Sequence, residues 1–503
     1  MTEKNPGHYD ILIAGAGFGG SLMALVLNSL GFKVCLIEKG QHPRFAIGES
    51  STPIADMILR NLASQYNLPW LSDFSRYGSW QQAHPEIVCG IKRGFSYFKH
   101  YPGKEFTTDA DHTQELLVAA SVDDIQSDTN WLRADFDSFL VDKVKETAIS
   151  YFDLTEIISA ERNKIWQFHT SRNTSPDITA SFFIDATGSG VLLDKLLGVK
   201  SSSNDFLTDS FAVFSHFDNV PRWTEFLQKA GIPTNDFPYD PDNSALHQVL
   251  DEGWIWMLRF NDQRTSVGFA LNGQKASFKD LSAEEIWGKM LKKYPTINKL
   301  LKDAQLSSQP GTIIKSGRLQ RKTSRAFGEG WAALPHTAGF VDPLFSSGIA
   351  HSLSGIEKIA NILHQHWAKD ESLYRQLKEY EHTVFEELKL IDQLVAGCYQ
   401  TMDHFELFNA WSMLYFASTI AYEQRRLQNK PPGYFLGADD QEIKNNVQKS
   451  YADLLTIISN REPSPADIKA FAALIKERIA PINTAGLLDP SSKNMYHHTV
   501  ARL

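Results

Sequence analysis

The first forty residues follow the order of apolar and glycine-rich segments that a βαβ unit requires. Residues 9–14 form a short apolar run typical of a buried β-strand, and residues 15–20 are a glycine-rich turn. Residues 21–30 carry apolar side chains at helical spacing up to Gly31, and residues 33–37 form a second apolar strand. Because parallel strands need a covered sheet and a right-handed crossover, this pattern predicts an α/β fold at the start of the chain.

The middle of the chain is dominated by β-forming segments. Thr52 and Pro53 predict the N-cap and first residue of a helix. Residues 87–111 that follow are rich in aromatic residues, glycine and β-formers. Further strands are predicted at residues 166–170, 180–184, 210–217, 254–260 and 266–271. Together they favour a mixed β-sheet that supplies a second layer to the fold.

The last third of the chain has a helical pattern. Apolar residues recur at helical spacing from residue 349, and charged helical stretches continue to about residue 426. The apolar stretch at residues 408–422 contains Asn, Ser and Thr and is shorter than a membrane span, so it predicts a core helix. Residues 428–437 contain Pro-Pro-Gly and predict a linker before a final helical piece.

Composition narrows the class of protein. The chain has 503 residues, a formal net charge of -9 and ordinary globular hydrophobicity, so neither nucleic acid nor an anionic membrane is expected as its partner. Cys35, Cys89 and Cys398 are far apart in sequence, which indicates neither a disulfide framework nor a zinc site, and no metal is expected. The polar first ten residues predict no secretory signal, and the expected location is the cytoplasm.

The turn at residues 15–20 reads GAGFGG and matches the GxGxxG pattern with its context intact. A strand precedes it, a helix follows, and Glu38 ends the next strand. The glycines permit a tight turn and close approach of a pyrophosphate, while the helix N-terminus attracts its charge. Glu38 would accept hydrogen bonds from a ribose. The pattern therefore predicts a dinucleotide site, the alternative being a purely structural glycine turn.

Three later segments accompany this turn. Residues 184–188 (IDATG) end a strand with a second glycine turn, and residues 340–343 (FVDP) precede a helix opened by glycine. Earlier in the chain, Arg133 and Asp137 share one helical face. With these segments the chain resembles the flavin-dependent monooxygenase superfamily, which implies FAD rather than NAD. No second complete GxGxxG is present for NADPH. A surface arginine and ordinary helix caps are the alternatives for the single residues.

Within that superfamily the chain resembles the flavin-dependent halogenases, especially the phenolic halogenases of pyoluteorin gene clusters. The matching segments are QHPRF at residues 41–45 with Gly48 and Glu49, CGIKRGFS at 89–96, GWIW at 253–256 and GFVDPLFSSG at 339–348. The resemblance implies a Rossmann-like FAD-binding domain of the class A monooxygenase type. It divides the chain into an FAD lobe at residues 1–350, with a substrate sheet at about 85–110 and 205–315, and a helical region at 351–503 that closes the substrate site.

The resemblance also implies a cofactor and a reaction. A separate flavin reductase would supply FADH2, dioxygen would form a flavin hydroperoxide, and chloride or bromide would attack it to release hypohalous acid. The resemblance assigns cofactor binding to the motif glycines and to residues of the flanking loops and the late helix start. These are Gly15, Gly17, Phe18, Gly20, Glu38, Lys39, Arg44, Ile47, Arg133, Asp342, Gly348 and Ile349.

Lys92 matches the family's catalytic lysine, which receives the hypohalous acid at the end of a tunnel. Its apolar strand context implies burial and a lowered pKa, although Lys92 and Arg93 could instead be a solvated pair. Glu49 would lie near flavin and tunnel, with a helix-entry carboxylate as the alternative. Glu49 and Lys92 are the expected catalytic residues.

Two further features concern the halide and the dryness of the site. Ser347 and Gly348 at a helix start could bind the halide through backbone N–H groups, or could be a plain helix cap. Trp254 and Trp256 alternate with period two and would wall the flavin compartment, or form an aromatic core stripe.

One departure from the family pattern is found after these tryptophans. Leu258 and Arg259 replace the family's Ile-Pro, which puts suppression of monooxygenation in doubt. The predicted activity is FADH2-dependent halogenation of a free electron-rich aromatic, most simply a phenol. The alternatives are an aromatic hydroxylase that uses NADPH directly and a flavin-containing protein without turnover. The chain indicates no oligomeric state.

Overall fold

A computed structural model of the chain describes residues 7–172, 178–275, 278, 280–367, 370–428, 433–460 and 462–501. The first six residues, and residues 429–432 of the predicted linker, lie outside this described part. Among the described residues no helix combines the length and apolar character that crossing a membrane requires.

The predicted βαβ unit starts a mainly parallel sheet. His8–Ala14 pairs in parallel with Val34–Ile37 on one side and with Ile178–Asp185 on the other. The order across this sheet is Phe327–Gly328, Trp331–Ala333, Ile178–Asp185, His8–Ala14, Val34–Ile37 and Ser150–Phe152, with Ile165–Thr170 and Ile157–Asn163 added as antiparallel strands. Strands without an exposed residue, such as Val34–Ile37, fit a sheet covered on both faces.

The predicted mixed sheet is also present, but the strands predicted for it at residues 166–170 and 180–184 lie instead in the parallel sheet, where residues 178–185 pair with His8–Ala14. The order across the mixed sheet is Gln305–Leu306, Ser210–Asp218, Thr265–Asn272, Gly253–Arg259, Ala245–Val249, Gly94–Lys99, Glu115–Ala119 and Met495–Tyr496, and Ile314–Arg318 also pairs with Ser210–Asp218. A two-stranded sheet, Cys89–Lys92 with Asp128–Trp131, lies beside it, and a small sheet contains Ser201–Ser202, Arg321–Thr323 and Gly339–Phe340. The fold is therefore α/β with a mixed second sheet, as predicted.

Helices cover the parallel sheet and form most of the C-terminal region. Those before residue 340 are Phe18–Ser29, Pro53–Gln65, Tyr77–Ala83, Arg133–Lys145, Val191–Leu197, Trp223–Lys229, Ala283–Lys293, Pro295–Leu301 and Pro335–Ala338. Those after it are Ser347–His366, Asp370–Thr401, Phe405–Leu427, Gln441–Asn460 and Pro465–Ile479. Short 3₁₀ turns lie at Pro69–Ser75, Pro241–Asn243, Phe435–Gly437 and Pro490–Ser492.

The C-terminal region packs into the fold rather than forming a separate layer. Phe405–Leu427 is buried around most of its circumference, so the stretch predicted as a core helix is one. Residues 435–437 of the predicted linker are buried as well. The short strand Met495–Tyr496 joins the mixed sheet beside Glu115–Ala119, a pairing that the helical pattern of this region did not predict. Two residues are too few to show an alternating pattern.

Gly20 should be a sensitive position for stability. A Cβ atom there would lie 1.8 Å from the Gly15 carbonyl oxygen, so Gly20→Ala must push the helix Phe18–Ser29 away from the turn. We expect a loss of about 1–3 kcal/mol in the free energy of unfolding, measured by denaturant titration of the FAD-free protein.

Gly288→Ala is the matched control for this substitution. Gly288 lies in the helix Ala283–Lys293 with nothing within 4 Å of an added Cβ, so alanine should increase the free energy of unfolding by about 0.5–1 kcal/mol. Equal effects of the two substitutions would contradict the close packing assigned to Gly20.

Candidate active site

A cleft of about 990 Å³ runs between the parallel sheet and the mixed sheet. Its walls come from the glycine turn, the loop at residues 44–50, the turn at residues 186–189, the strand Gly253–Arg259 and the start of the helix Ser347–His366. A volume at the upper end of the range for small-molecule sites suits a dinucleotide. The cleft lies beyond the carboxyl ends of parallel strands, where open α/β sheets bind ligands.

The glycine turn forms one end of the cleft. Gly15, Gly17 and Phe18 line it, and Gly20 instead packs against the turn. The helix Phe18–Ser29 has no side-chain cap, so its first N–H groups are free to bind an anion. These features fit the pyrophosphate of FAD.

Glu38 lies at the same end of the cleft. Its carboxylate accepts hydrogen bonds from the backbone N–H groups of Ala16 and Gly40, both at 2.8 Å. Burial opposes ionisation, but these two bonds and Arg44 lower the pKa of Glu38, so it is an ionised acceptor. Arg44 lies 3.6 Å from this carboxylate, and Lys39 also lines the cleft. This set of groups fits the ribose of the adenosine.

Arg133 joins the cleft to the loop that precedes the helix Pro53–Gln65. Its guanidinium pairs with Asp137 at 2.7 Å, which confirms that the two residues share one helical face. It also donates to the carbonyl oxygens of Ile47 and Gly48 and lies over the ring of Phe18. Arg133 therefore fixes the loop at residues 47–49 against the nucleotide end of the cleft.

The late Asp-Pro segment leads into a tight turn. Ser346 has φ 52° and caps the helix Ser347–His366 without a side-chain hydrogen bond, so the N–H groups at the helix start are free. Gly348 and Ile349 line the cleft at this point, whereas Ser347 does not. The helix start therefore presents N–H groups without a side-chain partner, of which those of Gly348 and Ile349 belong to residues that line the cleft.

Asp342 does not line the cleft, contrary to its expected place among the cofactor-binding residues. It is buried below the cleft and accepts hydrogen bonds from Ser210 at 2.6 Å and Tyr399 at 2.9 Å. Burial raises the pKa of Asp342 to about 6. The residue turns inward because these hydroxyl groups and the Leu344 N–H satisfy its oxygens inside the protein.

Trp254 and Trp256 both line the cleft on the same face of their strand. Their ring centroids are 5.9 Å apart. The Trp254 indole donates to the Tyr399 hydroxyl at 3.1 Å, and the Trp256 indole donates to Ser266 at 3.1 Å. The two indoles form a hydrogen-bonded apolar wall at the end of the cleft opposite the glycine turn.

Glu49 lines the cleft and is almost fully buried. The imidazole Nε2 of His216 lies 2.7 Å from its carboxylate. His216 itself is enclosed by Phe45 and Phe260. The carboxyl group and the imidazole are thus paired directly with each other in the interior.

Lys92 is fully buried, which excludes a solvated pair with Arg93. Its Nζ donates to the Ser51 carbonyl oxygen and lies 4.1 Å from the centroid of the Phe95 ring. Burial lowers the pKa of Lys92 to about 8, although the neighbouring carboxyl groups, Asp128 above all, act in the opposite direction. Lys92 does not line the cleft itself.

The residues that contact Lys92 adjoin residues that line the cleft. Ser51 directly follows Glu49 and Ser50, which line the cleft, and Phe95 pairs with Ala245, which also lines it. His247, another lining residue, stacks on Phe95 with centroids 6.3 Å apart.

Leu258 and Arg259 follow the two tryptophans on the same strand, and their side chains point to opposite faces of it. Leu258 lines the cleft, whereas Arg259 turns away and pairs with buried Asp242 at 2.7 Å. Arg259 also donates to the carbonyl oxygens of Val220 and Pro221. The charge of Arg259 is therefore paired with Asp242 away from the cleft, and only the apolar side chain of Leu258 contributes to the lining.

Sequence patterns missed four residues that shape the site: His216, His247, Arg321 and Tyr399. Arg321 lines the cleft and donates to the carbonyl oxygens of Gly188 and His336, so it joins the second glycine turn to the late segment. Each of the four lies far in sequence from the motif it supports. A single polar residue within a strand or helix pattern does not indicate which distant residues its side chain will contact.

The described residues contain no group of three or more His, Cys, Asp or Glu side chains that could hold a metal ion. All three cysteines are free and buried.

The chain matches known halogenases over most of its length. Monodechloroaminopyrrolnitrin halogenase PrnC of Pseudomonas fluorescens is 25% identical over an alignment 519 residues long, gaps included. The alignment covers 95% of this chain and 87% of that protein. Tetracycline 7-halogenase of Kitasatospora aureofaciens is 24% identical over 442 residues, covering 85% and 76%.

The fold is likewise that of a solved halogenase. Halogenase PltM, in its complex with phloroglucinol and FAD, superposes with a TM-score of 0.86 at 24% identity and covers 97% of this chain and 99% of that one. The family model for tryptophan halogenase matches residues 133–412, more than half of the chain. The chain therefore belongs to the tryptophan halogenase family and is an oxidoreductase of the flavin-dependent halogenase class.

Proposed function

We propose that this protein halogenates a free phenolic aromatic compound, with Lys92 as the residue that receives the oxidised halogen. The observation that carries the proposal is the complete burial of Lys92 against Ser51 and Phe95, which adjoin residues that line the cleft. Burying an ammonium group is costly, and a fold keeps such a group only with strong compensation.

The cleft suits FAD with its flavin ring toward the two tryptophans. Glu38, Arg44 and the helix start Phe18–Ser29 would hold the adenosine and pyrophosphate. When bound, reduced FAD from a separate flavin reductase would react with dioxygen and so provide the oxidising power that converts chloride or bromide into hypohalous acid. The N–H groups at Gly348 and Ile349 would bind the halide beside the flavin.

The walls of the cleft exclude water from this oxidation. Trp254, Trp256 and Leu258 present apolar surface, and burial lowers the pKa of neighbouring His247 to about 3, so that its imidazole is neutral. A compartment of this kind limits loss of hypohalous acid to water.

Lys92 would then transfer the halogen. Its neutral amine attacks the halogen of hypohalous acid, an N–X bond forms as the O–X bond breaks, and the amine loses a proton to the departing hydroxide to give water. An aromatic carbon next takes the halogen as X⁺ and releases its proton to the amine nitrogen. Alternatively the ammonium hydrogen-bonds hypohalous acid and polarises the O–X bond, so that the aromatic carbon takes the halogen directly.

Aromatic side chains next to Lys92 support an aromatic substrate. Phe95, Phe345, Tyr415 and Phe416 form a contiguous cluster, in which the Phe345 and Tyr415 rings stack at 3.9 Å. Two of these come from the helix Phe405–Leu427, which supports the proposal that the helical region closes the substrate site. A phenol activates its own ortho carbons, so it needs no additional acidic side chain beside them. Halogenase PltM was crystallised with phloroglucinol, which supports a phenolic substrate here.

The competing function is hydroxylation by an enzyme that accepts hydride directly from NADPH. The replacement of Ile-Pro by Leu258 and Arg259 is the feature that favours it. Substrate-stimulated oxidation of NADPH without an added reductase would support hydroxylation.

Halogenation is tested directly by supplying FADH2 from a separate flavin reductase, with bromide or chloride and a panel of phenols, anilines and indoles. We expect halogenated phenols by mass spectrometry, because the hydroxyl group activates the ring. A carrier-protein-bound phenol serves as a comparison. Failure to halogenate any compound, with FAD binding intact, would reject the proposal.

Lys92→Met should abolish halogen transfer while the reduced cofactor is still reoxidised. Methionine keeps the volume and removes the amine, so product formation should fall by about 100-fold or more. Oxygen uptake and product yield, measured together, separate the two steps.

Lys99→Met is the matched control, because Lys99 is a second buried lysine that pairs with Asp251 away from the cleft. It should retain halogenation. Product from Lys92→Met at the rate of the unchanged protein would remove the lysine from the mechanism.

Glu38→Gln should weaken FAD binding. Loss of the charged acceptor costs about 1.5–3 kcal/mol per hydrogen bond to ribose, which is roughly a 10- to 100-fold rise in Kd. Flavin fluorescence titration measures this. Glu161→Gln, an exposed position on Ile157–Asn163, should leave Kd unchanged. Unaltered affinity for Glu38→Gln would place the ribose elsewhere.

A further inference from the structure

Two carboxyl groups share the buried space around Lys92. Asp128 is directly opposite Lys92 in the pairing of Cys89–Lys92 with Asp128–Trp131, so the two side chains point to the same face. Asp56 projects from the helix Pro53–Gln65 into the same region and lies within hydrogen-bonding reach of Asp128. All three residues are at least 96% buried.

One oxygen atom of each carboxyl group has no donor among the described residues. Among the described side chains and backbone groups, none donates to Asp56 Oδ1 or to Asp128 Oδ2, although both atoms are buried. Two ionised carboxylates in contact would repel each other, and buried acceptors without donors are costly. One proton placed between the two groups removes both difficulties, because a protonated carboxyl donates to its ionised neighbour.

From this geometry we infer that Asp56 and Asp128 share one proton, held on Asp56, so that the pair presents a single negative charge to Lys92. The consequence of this shared proton for halogenation rests on the proposed role of Lys92. Asp128 is then a positioning residue whose negative charge balances the ammonium charge of Lys92. Asp56 holds the proton, so the pair carries one negative charge and not two.

The charge count decides how readily Lys92 changes its protonation state. A second negative charge beside it would favour the ammonium ion further, and with no negative charge burial would favour the neutral amine. A single charge leaves both the amine and the ammonium form accessible near neutral pH, as halogen transfer through an amine requires. Burial and Asp128 raise the pKa of Asp56 well above its usual range, in keeping with a neutral Asp56.

Other titratable groups face this cluster, and the positive charge of Arg60 lowers the pKa of Asp56, although less than burial and Asp128 raise it. Glu423 on the helix Phe405–Leu427 is a third buried carboxyl group, and burial and Asp128 raise its pKa well above the usual range, so it is neutral. The remaining groups are Arg60 on the helix of Asp56, Tyr415 on the helix of Glu423, and His247 on Ala245–Val249.

The test compares Asp128→Asn, Asp56→Asn and Glu423→Gln, with two measurements. The first is the pH profile of kcat/KM for halogenation. Asp128→Asn removes the negative charge that favours the ammonium form, so the limb of the profile that belongs to Lys92 should move to lower pH by about one unit or more. The direction is the same whether the active form is amine or ammonium.

Asp56→Asn replaces a neutral acid by a neutral amide that still donates to Asp128, so the limb of the pH profile that belongs to Lys92 should stay in place. The same limb should also stay in place in Glu423→Gln. A larger shift for Asp56→Asn than for Asp128→Asn, or equal shifts for the two, would overturn the assignment of the proton. Circular dichroism and thermal unfolding check that each variant is folded.

The second measurement needs neither FAD nor activity. Infrared absorption of protonated carboxyl groups in the FAD-free protein at neutral pH should lose a component in Asp56→Asn, distinct from the one lost in Glu423→Gln. Retention of the full absorption in Asp56→Asn would overturn the inference. Should Lys92→Met halogenate normally, the proposed function fails, and the infrared result still decides whether the proton is shared.

Discussion

The ammonium group of Lys92 must be stabilised inside the protein without bulk water, and the surrounding structure is arranged to meet that requirement. The Ser51 carbonyl accepts its hydrogen bond, the face of Phe95 lies 4.1 Å away, and Asp128 is opposite it in the strand pair. Each contact offsets part of the desolvation that lowers the lysine pKa. Moving any one of them would change the charge of the amine.

One loop connects this lysine to the nucleotide end of the cleft. Residues 47–48 accept hydrogen bonds from Arg133, and Glu49 and Ser51 hydrogen-bond to the strand Asp128–Trp131, through the Trp131 N–H at 2.6 Å and the Thr129 carbonyl at 3.0 Å. The loop thus behaves as an added strand. A displacement of the nucleotide site would shift Ser51 and with it the lysine, so the two halves of the site are mechanically coupled.

Sequence patterns predicted what depends on short-range periodicity. The βαβ unit, the glycine turn with Glu38, the shared face of Trp254 and Trp256, and the core helix at residues 408–422 all follow from spacing along the chain. Asp342 was misplaced because its motif indicates a turn but not the direction of a side chain whose partners, Ser210 and Tyr399, are 132 and 57 residues away. The roles of His216 and Asp56 were missed for the same reason: buried polar contacts depend on long-range packing.

The tryptophan wall shows why such long-range contacts matter for chemistry. An indole at the cleft could rotate if only apolar contacts held it, but the Trp254 N–H is bonded to Tyr399, and Tyr399 is bonded to Asp342 beneath the late helix start. The same buried carboxylate therefore fixes the orientation of the wall and the turn that leads to Gly348. Because the wall and the N–H groups at the helix start share this anchor, one hydrogen-bonded network sets the position of the proposed halide site relative to the two tryptophans.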